Sequence, residues 1–296
     1  MKKFLFSILI FFTLDLVILI LALSSVYFIT SSSSSFKIPE EKNIIVVGDS
    51  HTGCAIDDSI FSYAINISQG GAAYLYSYVK LRKFLNENSH IDTVIISFHA
   101  GSVQRSTDEL FFGDRYILSH VPNYFSLLQA EELLLLMNKP SFYSAVIKMP
   151  VRHIRAILKL VIDRTLTYED LHIGKYANLD RDQLQKAIEL AGNKESVKNE
   201  YSEYQLEYLF KIIKLCNNKD VELILFNSPT YNSEKYGDLP LLVSCYNTYF
   251  SNITYLDFSS FALPDYGYGD IGHLNFKGAE IFSQYLENNY ESLFGK

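Results

Sequence analysis

From residue 43 onward the chain alternates between two hydrophobic rhythms. Short, β-branched runs of strand length recur at 43–47, 64–68, 92–99, 220–226 and 254–258. Segments with apolar residues every three or four positions lie between or after them, at 72–86, 201–216, 240–250 and 277–290. Another helix is read as starting at Thr52, its candidate cap, in the stretch 52–63. Strands separated by helices predict βαβ units and a parallel sheet. A five-stranded sheet in the order 2-1-3-4-5 puts the loop after the fifth strand on the same carboxyl edge as the end of the first. That edge is where open α/β sheets bind ligands.

The rhythm breaks between residues 101 and 199. A leucine-rich stretch in 123–137, an apolar-periodic stretch at 141–164 and a short segment at 180–190 predict a helical insertion at about 102–199, read as a cap over the sheet edge. Lys148, Arg152, His153, Arg155, Lys159 and Arg164 are interleaved in it. They describe either a solvated helix face or a surface for anionic substrate or lipid headgroups.

Ahead of the globular pattern, Phe4 to Thr30 is one apolar run preceded by Lys2-Lys3. It exceeds the ~7–15 residues of a cleaved signal and matches the ~20 needed to span a bilayer. The basic flank predicts a cytoplasmic N-terminus with the remaining chain outside. A cleaved signal, with small residues at Leu23-Ser24-Ser25, is the alternative. Ser31 to Ser35 reads as a spacer, so the expected organisation is an anchor at 1–30, a linker at 31–42 and one α/β domain at 43–296. Asp15 lies mid-span, where an ionised carboxylate costs about 2.5–3.5 kcal/mol. It either stays protonated or pairs with a polar group on another membrane protein, such as an acyl donor.

Composition narrows the picture. With 296 residues, 48% of them apolar, the chain can bury one large core or two small ones. Its 22 Tyr and 21 Phe, without Trp, are read as core and pocket lining. The formal charge is −7, and because Lys2, Lys3 and Asp15 give the first 35 residues +1, the remainder carries −8. A basic nucleic-acid footprint is absent. Cys54, Cys216 and Cys245 are odd in number and widely spaced, which describes neither a disulfide framework nor a metal pattern. Cys54 is read as core-facing, and pairing of Cys216 with Cys245 is left open. No metal or cofactor is expected.

The chemistry gathers at predicted strand ends. The first strand runs into Gly48-Asp49-Ser50-His51, which presents the Ser50 hydroxyl at the lip of the sheet. A serine is a weak nucleophile until a base takes its proton, and that base needs a third group to orient it. Asp270 and His273 are three residues apart on the loop before the last helix. That spacing lets the carboxylate hold one ring nitrogen and leaves the other for Ser50. Gly70-Gly71 follow the second strand, where the backbone must turn sharply or approach something closely. His51 either shapes the pocket or caps the helix after Ser50, and the cap is preferred. Asn66 and Asn275 are placed around the site as groups that satisfy backbone, with His51, Asn66 and Gly70 as candidate substrate contacts. Asp49 is read as holding the Ser50 turn.

These residues resemble the SGNH, or GDSL-type, hydrolase family. The resemblance is carried by Gly48-Asp49-Ser50 and by Asp270-x-x-His273-Leu274-Asn275 with Gly278, and it covers roughly 43–100 and 200–290. It implies a three-layer α/β/α sandwich whose members cleave or transfer acyl groups on esters, often on sugars. It further implies Ser50 as nucleophile, His273 as general base, Asp270 as its orienting acid, and the N–H groups of Ser50 and Gly71, or Gly70, as oxyanion donors. The family's asparagine after the third strand is missing from Ser97-Phe98-His99-Ala100-Gly101-Ser102. His99 is the candidate substitute, or else caps the strand end. The expected function is an extracytoplasmic esterase or O-acyltransferase on a carbohydrate ester, commonly acetyl. The alternatives are a tethered glycan-binding or assembly protein of low activity and, last, a lipid-directed esterase.

Overall fold

Consecutive residues of each central strand divide between two cores. In β1 (Ile44–Val47), Ile45 and Val47 enter one apolar cluster while Ile44 and Val46 enter another on the opposite face. In β4 (Glu222–Asn227), Leu223 and Leu225 face the first cluster while Ile224 and Phe226 face the second. A strand buried on both faces belongs in a sheet covered by helices on both sides. The structure, a computed structural model, describes residues 2–191, 200–233 and 239–295. With β2 (Ala64–Asn66), β3 (Thr93–Ser97) and β5 (Thr254–Asp257), these strands form one parallel sheet in the order β2-β1-β3-β4-β5, as the alternating pattern predicts.

The helices are α1 (Lys2–Thr30), α2 (Ser50–Ala55), α3 (Tyr74–Glu87), α4 (Ala100–Val103), α5 (Glu109–Phe112), α6 (Asp114–Tyr124), α7 (Ala130–Met137), α8 (Pro140–Arg152), α9 (Ile154–Asp163), α10 (Leu184–Ala191), α11 (Glu203–Asn217), α12 (Leu239–Cys245), α13 (Phe276–Asn288) and α14 (Tyr290–Phe294). One layer is built on α3 and α11, which pack together and bury Tyr76, Val79, Tyr208 and Ile212. The other is built on α13 and α14, with Phe282, Leu286 and Phe294 in its core. This is the three-layer α/β/α arrangement.

One expectation is corrected. Most of the helical region between β3 and β4 packs on the α3 layer rather than over the sheet edge. Phe111, Ile117, Val121, Tyr124, Leu136 and Phe142 join the core on the α3 side, because their apolar faces find partners there. The returning segment crosses the carboxyl edge: Lys175 N donates to Ser68 O at 3.0 Å, Ala177 N to Gly53 O at 2.8 Å and Gln183 N to Gly269 O at 2.9 Å. The apolar-periodic stretch 141–164 is helical, in two helices that meet at the buried His153, whose Nε2 lies 2.9 Å from Pro122 O. Cys54, Cys216 and Cys245 are all buried and free, with Cys216 and Cys245 each pushed up to about 12 by burial.

From Lys3 to Thr30, α1 is long and apolar enough to cross a membrane.

Lys80 is buried in the α3 layer. Its Nζ donates to Ile67 O at 2.5 Å and Ile173 O at 3.4 Å, and burial lowers its pKa from 10.5 to about 7. The unfolded chain keeps this proton to about 10.4. Between the two values the unfolded state binds more protons, so stability rises with pH. The denaturation midpoint of the full chain in detergent is expected to climb from pH 7 to about 9 relative to Lys80→Met. Parallel curves for the two proteins would exclude a neutral Lys80.

Candidate active site

Gly48 follows β1 with φ +151°, and an added Cβ there would lie 2.3 Å from Ser97 Cβ and 2.8 Å from Thr52 Oγ1. Only glycine lets the turn after β1 come this close to the end of β3. Asp49 follows as the cap of α2. Its Oδ1 accepts from His51 N at 2.9 Å and Ser97 Oγ at 3.0 Å, and its Oδ2 accepts from His99 Nε2 at 2.7 Å. Neither Thr52 nor His51 is the cap, as the pattern had suggested. Asp49 has the short carboxylate at the first extended position before the helix, and the Thr52 hydroxyl is engaged with Ser68 Oγ at 2.9 Å. Burial opposes ionisation of Asp49, but His99 and His51 outweigh it and hold its carboxyl well below the usual range.

Ser50 is thereby held at the first position of α2, half-exposed above the sheet edge. Its Oγ lies 2.7 Å from His273 Nε2. His273 Nδ1 lies 2.8 Å from Asp270 Oδ1, which also accepts from Gly272 N at 2.9 Å. A carboxylate only accepts, so Nδ1 carries the ring proton and Nε2 is free to accept from Ser50. The loop holding this pair is pinned by Asn275, whose Nδ2 donates to Tyr266 O at 2.8 Å and whose Oδ1 caps α13 at Lys277 N, 3.0 Å away. Arg181 Nη2 bonds Asp270 Oδ2 from the segment that crosses the edge. Burial pushes the Asp270 carboxyl up, but the His273 hydrogen bond and charge, Gly272 N–H and Arg181 together bring it below its ordinary value. The arrangement can take a proton from Ser50 and hold the resulting imidazolium against a carboxylate that stays ionised.

The remaining predicted residues divide. Gly70 abuts Ser50, where an added Cβ would sit 3.8 Å from Ser50 Cβ, whereas Gly71 packs on the Tyr116 ring. His99 is not turned to Ser50: Nε2 is spent on Asp49, and the ring's Nδ1 edge lies over Gly101. It stands at the N-cap position of α4, where its N–H donates to Ser102 Oγ at 3.0 Å. His51 stacks on His99 at 3.8 Å and lies 4.9 Å from His273. Burial and the neighbouring His99 lower its pKa to about 3, so it stays neutral. Asn66 is corrected as a substrate contact. It is fully buried, with Nδ2 on Thr52 O (3.1 Å) and Ile56 O (2.7 Å) and Oδ1 on Ser68 N (2.9 Å).

Two clefts flank these residues. One of about 380 Å3 is lined by His51, His99, Asn227, Tyr231 and Gly272 among others. The second, about 280 Å3, contains Ser50 and Gly70 and is walled by Arg152, Glu169, His172 and Lys175 from the region between β3 and β4. Sequence reasoning missed these wall residues and Arg181. Arg152 stood out only as part of a basic run, and nothing local marks a pair such as Arg181 and Asp270, 89 positions apart. Among the described residues, Asp49, His51 and His99 form a group whose potential metal-ligating atoms all lie within 4.8 Å of one another. Asp49 and His99 are already satisfied by each other, and His51 Nδ1 is a buried atom with no hydrogen-bond partner among the described residues.

A protein-family profile that has no functional description matches residues 172–295, less than half of the chain. No curated protein matches the sequence. Among solved structures, a carbohydrate acetylesterase family member from Sinorhizobium meliloti is similar, with a TM-score of 0.34 and 12% sequence identity over 86% of this chain and 100% of that one.

Proposed function

We propose that this chain is a membrane-anchored serine esterase or O-acyltransferase of the SGNH type, acting on an ester, commonly O-acetyl, of an extracytoplasmic glycan. The observation that carries the reading is the hydrogen-bonded series Ser50 Oγ–His273 Nε2 at 2.7 Å and His273 Nδ1–Asp270 Oδ1 at 2.8 Å. Ser50 Oγ attacks the acyl carbon as its proton passes to His273 Nε2. The oxyanion is met by the N–H groups of Ser50 and of Gly70 or Gly71. The tetrahedral species collapses, the C–O bond to the leaving alcohol breaks, and His273 returns its proton to that oxygen. Water, or a sugar hydroxyl in transfer, then gives its proton to His273 and attacks the acyl-Ser50 ester; the bond between the acyl carbon and Ser50 Oγ breaks as His273 returns that proton to Oγ, releasing acid or the new ester and restoring Ser50. The anchor is taken to put this site outside the cytoplasm, with Asp15 available to a membrane partner that supplies acyl groups.

A second reading, a tethered glycan-binding protein, is favoured by one observation. The family's asparagine is absent, and His99, at its place, is engaged by Asp49. Loss of one oxyanion donor costs about 10²–10³ in rate.

Fluorophosphonate labelling of the full chain in membranes separates the two. The expected result is one label per chain, lost in Ser50→Ala. Labelling that persists in Ser50→Ala overturns the assignment of the nucleophile. Glycan binding that survives Ser50→Ala, with neither labelling nor turnover of acetylated sugars by the wild-type chain, overturns the esterase in favour of the binding protein.

A further inference from the structure

The helical pair α8–α9 carries an apolar stripe that no described residue covers. Tyr143, Ile147, Val151, Ile154, Leu158 and Val161 follow one another at spacings of four, four, three, four and three, and are between 52% and 74% exposed. Helical spacing puts the first three along one side of α8 and the last three along one side of α9. The opposite side, with Phe142, Ala145, Met149 and Ala156, is buried. A basic residue directly follows four members of the stripe: Lys148, Arg152, Arg155 and Lys159. Of these, Lys159 is paired with Asp170 at 2.7 Å, while neither Lys148 nor Arg155 forms an ion pair among the described residues. Cations flanking an apolar face are the pattern of a helix lying in a membrane interface, with the face about 5–10 Å deep.

What covers this stripe follows from its neighbour. α1 packs against α8 and against residues 125–127. The shielded positions of α1 are Leu19, Ala22, Leu23, Val26, Ile29 and Thr30, one side of its last three turns. The 28-residue apolar span beginning at Lys3 is about 42 Å long at 1.5 Å per residue, against a hydrocarbon core of about 30 Å. With Lys3 at one headgroup layer, a helix along the bilayer normal leaves the core near Leu23, about 20 residues on. Its packed side starts at Leu19, about 6 Å earlier. α8 therefore meets α1 across the plane where hydrocarbon gives way to headgroups.

We propose that α8 and α9 lie in the membrane interface beside α1, with the stripe in the acyl region of the leaflet and Lys148 and Arg155 on anionic lipid headgroups. The globular part is then fixed against the bilayer by two elements rather than suspended on a spacer. Val151, on the lipid side, is followed directly by Arg152, a wall of the cleft that contains Ser50. Docking keeps that cleft at headgroup level. It holds whether or not Ser50 is a nucleophile.

The three native cysteines are buried, so single labels can be placed on the full chain. Ile147→Cys and Leu158→Cys, with the exposed Ser292→Cys as control, carry an environment-sensitive fluorophore in vesicles of phosphatidylcholine and phosphatidylglycerol. The expected emission is blue-shifted at 147 and 158 and quenched several-fold by lipids bearing a shallow acyl-chain quencher, with water-like, unquenched emission at 292. Lys148→Glu with Arg155→Glu is expected to lessen the quenching at 158 in vesicles rich in phosphatidylglycerol. Water-like emission at 147 and 158 overturns the proposal. So does a blue shift that lipid quenchers leave untouched, which would mean that protein covers the stripe.

Discussion

His273→Ala is expected to lower ester turnover by about 10³-fold or more, close to 4 kcal/mol of transition-state stabilisation, while the thermal midpoint stays within about 2 °C of wild type. His273 Nε2 sits 2.7 Å from Ser50 Oγ, within hydrogen-bond reach. Without it the serine proton has no acceptor in place, and the residues of such a relay lose activity together rather than additively. The fold is insulated from the change. The His273 side chain is 23% exposed, and its loop is held by backbone bonds that alanine preserves, Gly269 N to His273 O at 2.9 Å and Asn275 N to Gly267 O at 3.0 Å. Measuring kcat/KM and the midpoint on one preparation checks both halves. Activity within tenfold of wild type would exclude His273 as the base.

Gly48→Ala is expected to destabilise the folded domain by about 3 kcal/mol or more, a fall of roughly 6–12 °C in the thermal midpoint, and to abolish labelling of Ser50. Two costs combine. The backbone at φ +151° is a conformation that an L side chain rarely adopts, and the new methyl would lie 2.3 Å from Ser97 Cβ. Ser97 cannot move aside freely, because its Oγ is bonded to Asp49, which in turn holds His99 and the start of α2. Any relief of the clash shifts the Ser50 turn. Thermal unfolding by circular dichroism measures the effect, and a midpoint within about 2 °C of wild type would exclude this account of the turn.

The two variants separate function from architecture. One removes a proton acceptor from an intact frame, and the other disturbs the frame that presents Ser50.

What could be read without the structure was local. Strands buried on both faces appear as uninterrupted apolar runs, and their alternation with helices restricts the topology, so the five-stranded order was legible. Asp270 and His273 share one loop, and Gly48-Asp49-Ser50 shares one turn, so each pair or triplet carries its own spacing signal. What the structure alone decided lies between segments. Ser50 and His273 are 223 positions apart, Arg181 and Asp270 are 89 apart, and Asp49 and His99 are 50 apart. Nothing in the periodicity of one segment encodes which polar group of another will face it. Local spacing therefore leaves His99 open as an oxyanion candidate and Asn66 as a substrate contact, and only the fold puts His99 Nε2 on Asp49 and buries Asn66. For the same reason the helices after β3 are expected over the sheet edge. Amphipathic spacing declares that a face will be buried, but the partner is chosen by packing, and the best apolar surface available was the one α3 presents. The same limit applies to α8 and α9, whose spacing announces two apolar sides while only their position beside α1 names the bilayer as the partner of the second.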